Sequence, residues 1–331
     1  MQAAATLPPL LITVRYWLLQ VDFVKMDWCH TDGMVPNGPA GVYPAMSKAL
    51  NRSGRPIHFN MCEWGLDDPW EWGGQYAQTW RVFGDHHGVW NIPGGTRDVV
   101  NQSMYLPAEF TGRPYAWNDL DMLETGNGGW AKGSNQSAVE YRTEFSMWAI
   151  LASPLVVTTP LYRLTGCESP LCNGRCQDCR PQDKNQPKGH CLGPVPVGNR
   201  NKCPAKCKAN LTNDQASILL NQDVIAINQD ITPQGRPVTP GDSRVWSRSL
   251  SDGSTAFALY NVQDTPLTIS TAPIKAACKP VIRGAKVAAA CRVRDLWAQL
   301  DYMDTTLPPT AQLAPHATEL YRIYPAREFV T

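Results

Sequence analysis

The sequence predicts an α/β fold built on a parallel sheet, followed by a small all-β domain. In the first half of the chain, short β-rich runs alternate with helix-like stretches, which is the pattern of strands joined by crossover helices. Most of these runs end in polar residues and glycines, as expected where a site lies at the carboxyl ends of parallel strands. From about Thr232, short alternating runs separated by turn residues predict an antiparallel sandwich.

Five strands and two helices are predicted before the middle of the chain. The strands are Val21–Met26, Ile57–Cys62, Thr79–Gly84, Tyr115–Asn118 and Leu155–Thr159. The helices are Tyr43–Leu50 and the amphipathic Gln136–Ala152. A helix-like stretch after Gln215 leads to Val224–Asn228. The predicted strands of the all-β part include Val245–Leu250, Ala256–Asn261 and Leu320–Tyr324.

A cysteine-rich segment separates the two parts. Seven of the 11 cysteines fall between Cys167 and Cys207, in a stretch rich in Pro, Gly, Asn and Lys. We expect an inserted loop at about 163–211 that is held together by disulfides or by zinc. Disulfides are favoured because His190 is the only histidine in the stretch. Cys278 and Cys291 are expected to pair within the all-β part.

Charge and hydropathy exclude several classes of partner. The net charge is +1, from 30 basic and 29 acidic residues, and no run of Lys or Arg occurs. Nucleic-acid and anionic-membrane binding are therefore not expected. The apolar stretch Leu7–Leu19 contains two prolines and Arg15, so we expect neither a transmembrane span nor a signal peptide there. The oligomeric state cannot be inferred.

Cysteine clustering and glycosylation sequons favour an oxidising compartment. Sequons begin at Asn51, Asn101, Asn135 and Asn210. Together with the cysteines, they predict a glycoprotein that is secreted, vacuolar or lysosomal in its full-length form.

Acidic side chains at successive strand ends carry the strongest chemical signal. They are Asp27, Glu63, Asp85, Asp119 and Asp121, with Arg81 four residues before Asp85. Lys25 lies two residues before Asp27, hence on the same face of its strand. Taken alone, Asp27 could equally be the N-cap of a following helix. Taken together with the neighbouring Trp residues, these side chains suit sugar binding, and two opposed carboxylates are what glycosidic cleavage requires.

Other reaction classes lack their motifs. No HExxH or similar ligand spacing occurs, and neither a G-x-S-x-G elbow nor a glycine-rich phosphate loop is present. We therefore expect no metal and no cofactor.

Several motifs, in this order, resemble glycoside hydrolase family 27, the melibiase-type α-galactosidases and α-N-acetylgalactosaminidases. The matching stretches are VDFVKMDWCHTD, YPAMSKALNRSGRPI, MCEWG, WRVFGD, WNDLDMLETGNGG, EFSMWAILASPL and VIAINQD. The resemblance runs from about Val21 to Pro160, resumes near Leu219 and continues weakly to the all-β part.

The resemblance implies a (β/α)8 barrel followed by an antiparallel β-domain, and a retaining double displacement. Asp27 matches the family's nucleophile and Asp85 its acid/base. Further substrate-binding positions are Lys25, Cys62, Glu63, Trp64, Arg81, Asp121 and Met122. Glu63 and Trp64 leave little room for an acetamido group, which favours a terminal α-D-galactosyl substrate in an oligosaccharide or glycoconjugate.

The position of Asp27 departs from the family, in which the nucleophile ends the fourth barrel strand. The resemblance therefore implies about the last five βα units in residues 1–231, followed by a sandwich in 232–331 and preceded in the full-length form by a further segment. Cys29 matches a half-cystine whose partner would lie in that segment. Thr159-Pro160-Leu161 also replaces the family's Asn-Asp-Leu.

Three alternatives to the α-galactosidase interpretation stay open. They are a non-catalytic remnant or galactoside-binding protein, an α-N-acetylgalactosaminidase and a β-L-arabinopyranosidase.

Overall fold

A computed structural model describes residues 20–29, 31, 38–112, 115–127, 136–159, 213–278, 281–283, 286–288 and 291–325. The predictions for the cysteine-rich segment, for the apolar stretch Leu7–Leu19 and for the sequons at Asn135 and Asn210 lie outside these residues. In the described part of the chain, a parallel sheet with helices precedes an antiparallel sandwich, which confirms the predicted fold class.

The first sheet has four parallel strands in the order β1-β2-β3-β4. The strands are β1 (Phe23–Asp27), β2 (His58–Cys62), β3 (Thr79–Arg81) and β4 (Trp117–Asp119). Strand β3 ends earlier than predicted because the guanidinium of Arg81 binds the carbonyl oxygens of Phe83 and Gly84, at 3.1 and 2.7 Å. The carboxyl ends of all four strands lie at the same edge of the sheet, so the residues at these ends are brought together.

The fifth predicted strand is a single bridge. Val157 pairs in parallel with Leu123, and Leu123 N–H donates to the carbonyl of Val156 at 2.7 Å. Asp121 has φ 82°, so the chain turns between β4 and Leu123. This turn interrupts the extended backbone that a longer ladder would need.

Six helices of four or more residues accompany this sheet in the described residues up to Asn228. They are α1 (Gly38–Arg52), α2 (Pro69–Trp72), α3 (Thr96–Ser103), α4 (Ala138–Ile150), α5 (Asn213–Leu219) and α6 (Gln222–Asn228). A capping box begins α4: Ser137 Oγ accepts from Glu140 N–H, and the Glu140 carboxylate accepts from Ser137 N–H. Helix α4 is not amphipathic as predicted, because nearly every residue from Tyr141 to Ile150 is buried.

Helix α4 is buried on several sides because the second part of the chain packs on it. This part contains a six-stranded antiparallel sheet in the order β12-β11-β14-β7-β6-β5, and β8 pairs with β13. Its elements are β5 (Arg236–Thr239), β6 (Asp242–Ser249), β7 (Thr255–Tyr260), β8 (Leu267–Ser270), α7 (Ala272–Ala276), β9 (Val281–Arg283), β10 (Lys286–Ala288), β11 (Arg292–Asp295), β12 (Leu300–Met303), β13 (Thr310–Leu313) and β14 (Thr318–Ile323).

Strand β7 alternates between two cores. Phe257 and Leu259 belong to the core of the sandwich, whereas Ala256, Ala258 and Tyr260 belong to the larger core shared with α4 and the parallel sheet. The strand is therefore buried on both faces, which explains its almost continuous apolar sequence.

Hydrogen bonds from Arg248 of β6 join the sandwich to the helices. The side chain is buried, and it donates to the carbonyl oxygens of Ala149 at 3.0 Å, Ile227 at 2.6 Å and Asp230 at 2.7 Å. These partners supply the hydrogen bonds that a buried guanidinium requires. The predicted domain boundary at 231/232 falls in the segment between α6 and β5 that this arginine holds.

Candidate active site

The carboxyl ends of the four parallel strands carry the predicted site. In the sheet register, Asp27 lies beside Cys62, and Arg81 lies beside Asp119. The side chain of Asp27 is exposed at the end of β1. Its Oδ1 accepts from the next backbone N–H, that of Trp28, at 3.2 Å, and the next described helix begins at Gly38. Among the described residues, no helix begins directly after Asp27.

Arg81 connects the two sides of the site. Its side chain is only 2% exposed, and it contacts Asp121 Oδ2 at 3.0 Å and Asp85 Oδ1 at 3.3 Å. Its other terminal nitrogen donates to Cys62 Sγ at 3.7 Å. Asp85 itself keeps 64% of its side chain exposed. A buried cation thus holds a carboxylate that solvent, or a ligand, can reach.

Cys62 continues the connection toward Asp27. Burial raises the pKa of the Cys62 thiol to about 12, with Arg81 and Lys25 opposing this shift and a hydrogen bond to Asp27 adding to it. Cys62 thus lies beside Asp27 in the sheet register and contacts Arg81, which pairs with Asp85.

Asp121 is the most constrained residue of the site. Lys25 Nζ lies 3.8 Å from its Oδ1, and His86 N–H donates to its Oδ2 at 2.9 Å. Its own N–H donates to Asp119 Oδ1 at 2.8 Å, and its carbonyl accepts from Trp148 Nε1 at 2.8 Å. The φ of 82° is a left-handed conformation that a non-glycine residue keeps only when its surroundings hold it.

The remaining predicted residues, Glu63, Trp64 and Met122, differ in burial. Glu63 is fully buried, and this burial raises the pKa of its carboxyl to about 8. Trp64 is half-buried with φ 57°. The following glycine, Gly65, has φ 85°, and a Cβ there would lie 2.3 Å from the carbonyl oxygen of Val82. Met122 is half-buried, and its carbonyl oxygen lies 3.0 Å from His86 Nδ1. Sugar contacts by Glu63, Trp64 and Met122 stay predictions.

Several residues that support the site were not singled out from the sequence. They are Asn60, His86, Glu144 and Trp148. Asn60 Nδ2 donates to Asp119 Oδ2 at 2.7 Å, beneath Asp121. A polar residue inside the buried run His58–Cys62 was the signal for Asn60, whereas no local pattern marks His86 or Trp148.

No group of three or more His, Cys, Asp or Glu side chains in the described residues is arranged to hold a metal ion. None of the helices in the same residues has the length and apolar character needed to span a membrane.

Two family models match this chain. Residues 13–173 match the model described as Alpha galactosidase A, and residues 240–323 match the Alpha galactosidase C-terminal beta sandwich domain. Alpha-galactosidase 2 of Arabidopsis thaliana is 32% identical over 305 residues, which cover 92% of this chain and 60% of that protein. The chain thus spans about 60% of the length of that relative.

Solved structures show the same fold. A putative alpha-galactosidase/melibiase from Bacteroides fragilis superposes with a TM-score of 0.66 at 26% identity, covering 94% of this chain and 56% of that one. Alpha-galactosidase I from Mortierella vinacea gives a TM-score of 0.65 at 24% identity, over 95% of this chain and 70% of that one. With both family models matched in order and the strand-end site in place, the chain belongs to the melibiase-type family, glycoside hydrolase family 27.

Proposed function

We propose that this chain carries the site of an α-galactosidase that hydrolyses terminal α-D-galactosyl residues by double displacement. The observation that carries the proposal is the position of Asp27 beside Cys62 in the sheet register, together with the contacts of Arg81 with Cys62 and Asp85. It supports a site with two accessible carboxylates near a buried cation. The names of the relatives, which are alpha-galactosidases, support the choice of reaction.

In the proposed mechanism, the Asp27 carboxylate attacks the anomeric carbon while Asp85 protonates the departing glycosidic oxygen. A covalent galactosyl ester forms on Asp27. Asp85 then takes a proton from water, which attacks the ester and restores the α-configuration. The cationic Lys25 and Arg81 and the carboxylate of Asp121 are suited to hydrogen bonding with the hydroxyls of the sugar.

Galactose is the proposed sugar because Cys62, Glu63 and Trp64 form a continuous, largely buried segment at the end of β2. This segment leaves little room beside C2 of the sugar, which favours a plain hydroxyl there over an acetamido group. Parallel assays on α-galactoside, α-N-acetylgalactosaminide and β-L-arabinopyranoside test this preference, and faster turnover of either of the last two would contradict it.

Hydrolysis of 4-nitrophenyl α-D-galactoside by the full chain tests the activity. We expect turnover that Asp27→Ala abolishes. Asp22→Asn is the matched control, because Asp22 is exposed just before the other end of β1 and pairs with Arg55. Turnover that survives Asp27→Ala would contradict the assignment of the nucleophile. Retention on a galactose column without any turnover would contradict the enzymatic proposal and favour a binding protein.

The retaining course has its own test. Proton NMR of the first product formed should show the α-anomer of galactose before mutarotation. Initial release of the β-anomer would contradict double displacement.

We also propose a secreted, vacuolar or lysosomal location and a division into residues 1–231 and 232–331. The disulfide between Cys278 and Cys291 supports an oxidising compartment. Limited proteolysis that cleaves first near 231/232 would support the boundary, and first cleavage within β6 or β7 would contradict it.

A further inference from the structure

His86 follows the proposed acid/base Asp85 directly and is buried beneath the site. We propose that His86 is a positioning residue that fixes the segment Asp121–Met122 to the loop carrying Asp85, and thereby sets the affinity for galactose. This inference rests on the proposed function, since Asp121 is assigned to the sugar there.

Two hydrogen bonds join His86 to this segment. Its backbone N–H donates to Asp121 Oδ2 at 2.9 Å, and its ring Nδ1 lies 3.0 Å from the carbonyl oxygen of Met122. A carbonyl oxygen can only accept, so the ring must carry its hydrogen on Nδ1. The other ring nitrogen, Nε2, lies 3.1 Å from Thr96 Oγ1.

The ring of His86 is held in place by an aromatic neighbour. Its centroid lies 4.9 Å from that of Trp148, a fully buried residue of α4. Trp148 Nε1 donates to the carbonyl of Asp121 at 2.8 Å. Two packed rings thus hold the carbonyl oxygens of two consecutive residues, Asp121 and Met122, from α4 and from the loop after β3.

The hydrogen bonds from the His86 and Trp148 rings act where the backbone is strained. The left-handed φ of 82° at Asp121 persists only while neighbouring groups enforce it. If the His86 ring bond is lost, the carbonyl of the half-buried Met122 loses this partner, and the strained segment can relax. The Asp121 carboxylate would then move relative to Arg81 and Lys25, which are the groups it shares with the proposed sugar.

The surroundings of the His86 ring do not favour a change in its protonation state. Burial lowers the pKa of His86 to about 4, with the Asp121 carboxylate among the groups that oppose this shift. The carboxyl of Glu144 lies 3.7 Å from Nδ1. Burial raises the pKa of that carboxyl to about 8. Both groups are neutral near pH 6, so the role of His86 is to hold geometry and not to transfer charge.

Side-chain replacements at residue 86 separate this role from simple stability. His86→Asn keeps an N–H donor near the place of Nδ1, His86→Gln moves the donor toward the place of Nε2, and His86→Leu has no donor. We expect galactose binding, measured by calorimetry on the full chain, to weaken about tenfold in the Leu and Gln variants. The Asn variant should stay within about threefold of the wild type.

Michaelis constants give a second measure. Partial unfolding lowers the active fraction and hence apparent kcat, but it leaves KM and Kd unchanged. A displaced Asp121 raises KM and Kd in the molecules that remain folded. His58→Asn is the control, because His58 is half-buried at the other end of β2 and pairs with Thr79; we expect its Kd to match the wild type.

Four outcomes decide whether His86 is a positioning residue. Rescue by Asn but not by Gln supports the positioning role. A folded His86→Leu chain with wild-type Kd overturns it. If the Leu and Gln variants do not fold, Trp148→Phe, which keeps a ring but removes the donor to Asp121, must weaken galactose binding, and an unchanged Kd would overturn the inference. A wild-type chain that neither binds galactose nor hydrolyses galactosides would instead contradict the proposed function.

Discussion

The guanidinium of Arg81 lies 3.0 Å from the carboxylate of Asp121, with 2% and 12% of the two side chains exposed. The same guanidinium reaches Asp85 and Cys62, so one buried cation organises three side chains of the site. A planar fork of donors is needed to make contacts in several directions at once.

Replacement of Arg81 by lysine should therefore be severe although the charge is kept. A lysine ammonium cannot reach Asp85, Asp121 and Cys62 together, so we expect kcat/KM on 4-nitrophenyl α-D-galactoside to fall at least about 100-fold, the effect of roughly 3 kcal/mol. Arg244→Lys is the control, because Arg244 is exposed and, among the described residues, its ion pair is with Asp242 of its own strand. Equal losses in the two variants would contradict the role given to Arg81.

Asp119→Asn should weaken the support of Asp121. Asp119 accepts hydrogen bonds from Asn60 and from the backbone of Asp121, and an amide replaces one of its acceptor oxygens with a donor. We expect a loss of about 1–3 kcal/mol in the free energy of unfolding, measured in urea, because a buried donor then faces another donor. A stability equal to the wild type would show that this network contributes little.

The two free cysteines of the described residues should differ in reactivity. Cys29 is exposed, whereas Cys62 is buried with a pKa raised to about 12. Thiolate is the reactive form, so native labelling with iodoacetamide at pH 8 should modify Cys29 and spare Cys62. Peptide mass spectrometry distinguishes the two sites, and rapid labelling of Cys62 in the folded chain would contradict the described geometry.

The buried carboxyl of Glu63 should make stability depend on pH. Its pKa of about 8 lies above the ordinary value of 4.5, so the folded chain binds more protons than the unfolded chain between these values. Its contribution to stability is complete below about pH 4.5 and is lost as the pH rises toward 8. Thermal unfolding should show a smaller decline in Tm over this range for Glu63→Gln than for the wild type, and identical profiles would contradict the predicted shift.

The disulfide between Cys278 and Cys291 closes a loop with a sequence separation of 13. Loops of this size gain about 2–4 kcal/mol from such a crosslink, largely because the unfolded chain is restricted. The double variant Cys278→Ala, Cys291→Ala should therefore unfold at a lower urea concentration than the wild type. An unchanged midpoint would indicate that the loop is held by its packing alone.

Local sequence patterns were sufficient to predict the four parallel strands, with ends that differ from the observed ones by up to three residues. Asp27, Cys62, Arg81 and Asp119 each end a short strand whose apolar pattern is visible in the sequence. Their convergence followed from the rule that parallel strands share one carboxyl edge. The disulfide Cys278–Cys291 was likewise predicted and is confirmed.

The supporting residues could not be predicted, because their contacts join distant segments. Trp148 reaches Asp121 from 27 residues away, and His86 reaches Met122 from 36 residues away. The burial of helix α4 on both faces could not be predicted locally, because the sandwich that covers its second face begins almost a hundred residues later in the chain. Arg248 carries no sequence signal that distinguishes it from a surface arginine.

The separation of the Asp27 and Asp85 carboxyl groups tests the central claim most directly. A crystal structure of the Asp27→Asn chain with a bound galactoside would give this distance together with the position of the anomeric carbon. We predict the two carboxyl positions on opposite sides of the anomeric centre, about 5–5.5 Å apart, as double displacement requires. A separation beyond about 6.5 Å, or a sugar bound away from both residues, would contradict the account.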